Sequence, residues 1–236
     1  MRVLYQLTSP MHRTIGAQEI ERRRGVLQSY AAGGTEVLVE PTATGPAAIE
    51  SATDAAMVVP ELLRLAPEAE RRGVGALVLG CFSDPGLEAI RETVTIPVIG
   101  PGAAAFHLAA QLGSRISLLT PAGRSFGRVA ARLRGLGLTG LLASVRGIGL
   151  TVMDMAQQTA GARDKAAAAA RSAVDEDGAD VLVLGCMSMA FLPGICEDLT
   201  VEVGVPVINP VVAGLKTAEM VAVSLGSQQI GTRIAS

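Results

Sequence analysis

The sequence predicts an α/β fold of two pseudo-symmetric lobes, each a parallel sheet flanked by helices. Three observations predict it. Short runs that are apolar throughout alternate with longer amphipathic or alanine-rich runs, the pattern of strands buried in a parallel sheet and joined by helical crossovers. Two stretches repeat one another: Ala76-Leu77-Val78-Leu79-Gly80-Cys81-Phe82-Ser83 and Val181-Leu182-Val183-Leu184-Gly185-Cys186-Met187-Ser188. Each is an apolar run that ends in Gly-Cys and opens into something helix-like. The repeat also extends beyond the cysteines. Ile96-Pro97-Val98-Ile99-Gly100-Pro101 answers Val205-Pro206-Val207-Ile208-Asn209-Pro210, and the run from Val3 to Pro10 loosely answers Ile116 to Pro121.

The elements follow in order. Residues 2–6 form the first strand, entered directly from Met1, and 14–32 a helix whose face with Arg22, Arg23 and Arg24 reads as solvated. Strand 35–39 and helix 46–72 come next. Strand 75–80 leads into helix 85–93, where Asp84-Pro85 reads as an N-cap with Pro in the first turn. Strand 96–100 precedes an alanine-rich helix at 102–112, which carries His107. The second half then runs strand 115–120, helix 123–136, strand 142–146, helix 155–177, strand 180–185, helix 189–197, strand 205–209 and helix 212–225. The expected first lobe is residues 1–100 plus 212–236, and the second is 101–211, with the last helix packing back on the first lobe. No Gly/Ser-rich or Pro-rich linker divides them. Ligands of parallel sheets bind beyond the carboxyl ends of the strands, where both Gly-Cys turns fall. A cleft between the lobes is the expected active site.

The bulk numbers narrow the function classes. A chain of 236 residues that is 49% hydrophobic can bury a sizeable core and is not disordered. A net charge of −2 without a basic run gives no general attraction to nucleic acid. No apolar stretch is long enough to span a membrane, and the start lacks a signal-peptide core. A cytoplasmic protein is expected, with its thiols reduced. Three cysteines without a C-x-x-C pair suit neither a disulfide framework nor a zinc knuckle. His12 and His107 are too few and too far apart for a metal site. The expected partners are a small-molecule substrate and copies of the chain in a homo-oligomer, with no nucleic acid and no membrane.

Two thiols at equivalent points of two lobes suit a pair of acid/base groups facing one substrate from opposite sides. The blander reading, that cysteine is a small buried hydrophobe, applies to Cys196, which has no counterpart in the first half. Helix starts after Cys81 and Cys186 would favour a thiolate. Gly80 and Gly185 allow a tight turn and close approach to a ligand. Ser83 and Ser188 could serve an oxyanion or cap a helix. Thr120 and Pro121 end a strand and could touch the ligand; Gln6, Thr8 and Ser9 hold the matching place in the first lobe. Phe82 and Met187 could receive an apolar substituent. Asp84 reads as structural.

The Cys81-x-x-Asp84-Pro85-Gly86-Leu87 motif, the Leu184-Gly185-Cys186-Met187 stretch and their spacing resemble the aspartate/glutamate/hydantoin racemase superfamily. The likeness covers nearly the whole chain and is greatest to hydantoin and allantoin racemases; Gly34-Thr35-Glu36-Val37 and Pro46 to Ser51 are also similar to that branch. The resemblance implies that Cys81 and Cys186 match paired catalytic thiols that work without cofactor or metal. It departs in two loops. Relatives often have Asn-Pro-Asn-Thr-Ser after the first strand, where this chain has Gln6-Leu7-Thr8-Ser9. Ser188 and Phe191 replace a Gly and an Asp. The function expected is two-base racemisation of a 5-substituted hydantoin or related cyclic ureide. The alternatives are racemisation of an Asp/Glu-type amino acid, maleate-type cis-trans isomerisation, a Cys81–Cys186 redox couple and a small-ligand sensor. Two-base chemistry on one carbon needs sulfurs about 7 Å apart, whereas a disulfide needs about 2 Å.

Overall fold

The structure is a computed structural model that describes residues 1–123 and 126–225. The expected first-lobe segment beyond 225, and positions 124 and 125 of the expected helix 123–136, lie outside the described residues. The elements are β1 (Arg2–Gln6), α1 (Met11–Thr14), α2 (Ala17–Tyr30), β2 (Glu36–Glu40), α3 (Ala52–Arg71), β3 (Ala76–Leu79), α4 (Leu87–Arg91), β4 (Val98–Ile99) and α5 (Pro101–Ala109). They continue with β5 (Ile116–Thr120), α6 (Phe126–Gly135), β6 (Leu142–Gly147), α7 (Val152–Ala156), α8 (Ala162–Asp175), β7 (Val181–Leu184), α9 (Met187–Ala190), α10 (Ile195–Val203), β8 (Val207–Ile208) and α11 (Pro210–Leu225). Among the described residues no helix is long and apolar enough to cross a membrane.

Two parallel four-stranded sheets form, in the orders β2-β1-β3-β4 and β6-β5-β7-β8. The same topology occurs twice, with the apolar strands β1 and β3, or β5 and β7, at the centre, where both faces are covered. The chain divides into two compact units: Met1–Pro101 with the described chain from Gly214 on, and Gly102–Ala213.

In the first unit, the core gathers Leu4, Val58, Leu62, Ala66, Leu77, Leu79, Ile90 and Val98, with Cys81 at its margin. Leu77, Leu79 and Cys81 alternate along β3 and beyond it, so the thiol continues the core-facing side of the strand. Glu219 of α11 is bound here, its carboxylate accepting from the Ala32 N–H at 2.8 Å and pairing with Lys216 at 2.9 Å. In the second unit, β5 and β7 are fully buried, and Ala166, Ala170 and Ala173 bring α8 close to the sheet.

Several helices differ from their expected ranges. The expected helix 14–32 is α2, which starts only at Ala17 after Gly16, and a separate turn, α1, precedes it. The expected start at 46 is a loop; α3 starts after Ser51, where a reciprocal capping box with Asp54 fixes its first turn. The expected helix 155–177 is α7 and α8, interrupted at Gln158 and Gly161. The expected helix 189–197 breaks at Pro193-Gly194 into α9 and α10. Arg23 is also corrected. It is 1% exposed, not solvated, because the helical period turns it inward with Leu27. Its guanidinium pairs with Glu19 at 2.8 Å. Burial opposes ionisation of the Glu19 carboxyl, but Arg22 and Arg23 outweigh it and hold the carboxyl below its usual range.

Candidate active site

In the first unit, β1 and β3 close up at their carboxyl ends. The Gly80 N–H donates to the Gln6 carbonyl at 2.7 Å. A Cβ at Gly80 would stand 2.7 Å from that oxygen and 2.8 Å from the Leu7 Cα. Only glycine fits, because the obstacle is backbone. Cys81 follows at once, 8% exposed, and its Sγ lies 3.1 Å from the Ser83 Oγ. The chain turns back through a bond from the Asp84 N–H to the Cys81 carbonyl at 3.1 Å. Asp84 is not the expected N-cap. It has φ +51°, Gly86 occupies the cap position without a side-chain bond, and α4 starts only at Leu87. The Asp84 carboxylate stands instead against Gly100, where a Cβ would come within 2.5 Å of its Oδ2. The expected helix start directly after Cys81 is therefore a turn.

The neighbouring loop belongs to β1. The Gln6 side-chain amide donates to the carbonyls of Glu40, at 2.9 Å, and Leu7, at 3.1 Å, tying the end of β1 to the end of β2. Thr8 and Ser9 are buried, and neither hydroxyl bonds to another described residue. Phe82 is buried beside Cys81 in sequence.

The second unit repeats the construction. The register pairs Val3 with Ala76 and Ile116 with Val181, so Gln6 corresponds to Leu119. The Gly185 N–H donates to the Leu119 carbonyl at 2.6 Å. A Cβ at Gly185 would stand 2.8 Å from the Thr120 Cγ2 and 2.9 Å from the Leu119 oxygen. Cys186 follows, 5% exposed, and here it is the N-cap residue of α9. The Ala190 N–H returns to the Cys186 carbonyl at 3.0 Å. Met187, Ser188, Met189 and Ala190 are all buried. Ser188 thus lies inside the helix and is not its cap.

Thr120 is fully buried, and its hydroxyl donates to the Ala122 carbonyl at 2.6 Å. Its proton holds the loop that follows β5. The Pro121 carbonyl accepts from the Leu150 N–H at 3.1 Å, joining that loop to the one after β6. Gly147 makes the second join, since a Cβ there would lie 2.7 Å from the Gly123 nitrogen. α7, capped by a Thr151/Asp154 box, packs on α9 with Met155 buried. The methionines fill the irregular space around the Cys186 turn.

None of the three cysteines is in a disulfide. Burial, with Glu197 adding to it, pushes the Cys196 thiol up to about 12 against a hydrogen bond with Asn209, so Cys196 stays protonated near neutral pH. Among the described residues no group of His, Cys, Asp and Glu could hold a metal ion. The first unit gathers Gln6, Thr8, Gly80, Cys81, Phe82 and Ser83 at the carboxyl ends of its central strands, and the second gathers Thr120, Pro121, Gly185, Cys186, Met187 and Ser188 at the carboxyl ends of its own. Sequence reasoning gave no role to Gly147 or Asn209. The Asn209 Oδ1 accepts from the N–H groups of Val211, at 2.9 Å, and Val212, at 3.3 Å, and its Nδ2 donates to the Ala190 carbonyl at 3.0 Å. The Asn-Pro step before α11 was the available signal for a cap.

Residues 22–218 match the model of the Asp/Glu/Hydantoin racemase family. The chain is 36% identical over 202 residues to the hydantoin racemase of Paenarthrobacter aurescens, covering 85% of this chain and 84% of that one. It is 38% identical over 179 residues to the hydantoin racemase of Rhizobium meliloti, covering 76% and 73%. The structure is similar to that of an allantoin racemase from Klebsiella pneumoniae, with a TM-score of 0.84, 31% identity and coverage of 98% and 93%.

Proposed function

The chain belongs to the Asp/Glu/hydantoin racemase family, and from that premise we propose that it racemises a 5-substituted hydantoin or a related cyclic ureide, with Cys81 and Cys186 as the two bases. The observation that carries this reading is the twice-built Gly-Cys turn. At Gly80 and Gly185 the strand backbones leave no room for a Cβ, and each turn places a reduced thiol at the carboxyl end of a central strand.

One cysteine, as thiolate, takes the proton from the stereocentre. The C–H electrons move into the flanking ring carbonyl and form an enolate. The other cysteine, as thiol, gives a proton to the opposite face. The two sulfurs have then exchanged protonation states, ready for the reverse conversion. The ring carbonyl delocalises the charge, so the reaction needs no cofactor and no metal. Backbone N–H groups after the cysteines are the proposed donors to the enolate oxygen. Thr8 is a buried residue whose hydroxyl makes no bond to another described residue, which favours it for the ring over Thr120, whose hydroxyl proton serves Ala122. Phe82 and Met187 offer apolar contact to the substituent. Both thiols must stay reduced, which suits the cytoplasm.

The test follows deuterium. In D₂O, an enantiopure 5-substituted hydantoin should gain deuterium at its stereocentre as its rotation decays, faster than in a control without enzyme. The matching free amino acid should exchange far more slowly. Faster exchange of aspartate or glutamate than of every hydantoin tried would transfer the reading to amino-acid racemisation.

A further inference from the structure

Cys186 stands at the head of a helix of one turn, and such a helix has little stability of its own. The direction of the thiol depends on what holds that turn. Its last carbonyls have no partner within the helix. The one at Ala190 accepts from the Asn209 Nδ2 at 3.0 Å, and Ala190 in turn donates to the Cys186 carbonyl at 3.0 Å. The orientation of the amide is fixed by chemistry. The N–H groups of Val211 and Val212 can only donate, so Oδ1 faces them and Nδ2 points to Ala190, with the Cys196 thiol also within its reach.

A helix cap alone does not call for this residue. The acceptor that α11 needs could be the oxygen of Asp or Ser; the donation to Ala190 is a separate bond that requires the amide. The first unit supports the distinction. There the position corresponding to Asn209 is Gly100, which has no side chain, and Asp84, from the cysteine's own turn, stands against it. The position corresponding to Asp84 in the second unit is Met189, which cannot do this. In each unit one polar side chain lies between the cysteine turn and the end of the next strand, Asp84 packed against Gly100 and Asn209 bonded to Ala190.

We propose that Asn209 is the positioning residue of Cys186: its amide fastens α9 to the head of α11 and so aims the thiol. This rests on the reading of Cys186 as an acid/base group. Asn209→Asp keeps the acceptor for Val211 and Val212 but removes the donor to Ala190; Asn209→Ser does the same with a shorter side chain and carries the test if the first variant does not fold. The measurements are racemisation of a 5-substituted hydantoin, the melting temperature, and the rates at which iodoacetamide labels Cys81 and Cys186, resolved by peptide mass spectrometry. The expected result is a kcat lower by about tenfold to a hundredfold with KM nearly unchanged, the effect of a misplaced catalytic group. The labelling rate of Cys186 should change several-fold and that of Cys81 should not. Racemisation and Cys186 labelling both near wild type would overturn the proposal, and so would equal changes at both cysteines, which would mean general loosening. If the wild type racemises no hydantoin but Cys186 labelling still responds selectively, the functional reading fails and the positioning role stands.

Discussion

At the scale of single residues, Gly80 and Gly185 decide the most. Each is the last residue before a cysteine, and each is pressed against the neighbouring strand. At Gly80 the obstacle is backbone, the Gln6 oxygen and the Leu7 Cα, so a methyl group can fit only if β1 and β3 separate. Gly80→Ala should cost about 1–3 kcal/mol, the usual range for overpacking. Gly25 is the control, because it lies inside α2 with nothing within 4 Å of its Cβ position. Gly25→Ala should stabilise by about 0.5–1 kcal/mol, since alanine suits a helix interior better than glycine. Urea unfolding of the two variants checks both signs. Equal stability of Gly80→Ala and wild type would mean that the strand ends can yield. These glycines and both cysteines were legible in the sequence because they recur at matching points of a repeat. Arg23 was not legible, because burial of a charge depends on a partner one helical turn away, Glu19, and on which face meets the sheet.

At the scale of elements, the eight strands among the described residues stand where the apolar runs placed them, whereas helix boundaries moved. The reason is physical. A buried parallel strand shows as an uninterrupted apolar run, but a helix start is set by a few side-chain bonds, such as those of Ser51 with Asp54 and Thr151 with Asp154. The same local chemistry made the two cysteine turns unlike: one opens through Asp84 and Gly86, the other enters α9 directly. Long-range ion pairs were equally invisible. Arg146 on β6 grips Asp177, beyond α8, with two bonds of 2.7 Å. That guanidinium, helped by a hydrogen bond from Ser144 and against partial burial, holds the Asp177 carboxyl below its usual range. A carboxyl depressed in the folded state adds stability above its unfolded value, about 3.9, and loses it as the pH falls through the lower native value. Asp177→Asn should therefore lower the melting temperature at pH 7 by about 2–4 °C, as expected for about 1 kcal/mol in a chain of this size. The gap to wild type should close as the pH falls into the acid range. A gap of equal size at both ends would mean that packing, not charge, had been lost.

At the scale of the whole molecule, one topology is used twice, and each copy ends a central strand in Gly-Cys. The duplication was legible because both copies retain the strand–Gly–Cys order. The polar side chains packed beside the cysteine turns, Asp84 in one copy and Asn209 in the other, were not, because the two copies place different residues there. A duplicated turn fits a reaction whose two faces need the same chemistry, and racemisation is such a reaction. In the proposed mechanism two bases act in turn, so loss of either should stop inversion, while the remaining base can still exchange the proton of the enantiomer it faces. The pH dependence of kcat/KM should then be bell-shaped, its two limbs belonging to the coupled pair. The most direct measurement compares Cys81→Ser, Cys186→Ser and wild type in D₂O, recording deuterium uptake by NMR and optical rotation on each enantiomer of a 5-substituted hydantoin. The wild type should take up one deuterium per inversion from either enantiomer. Each variant should lose inversion by orders of magnitude while keeping exchange without inversion on one enantiomer, and the favoured enantiomer should be opposite for the two variants. Racemisation near the wild-type rate in either variant would contradict the two-thiol mechanism.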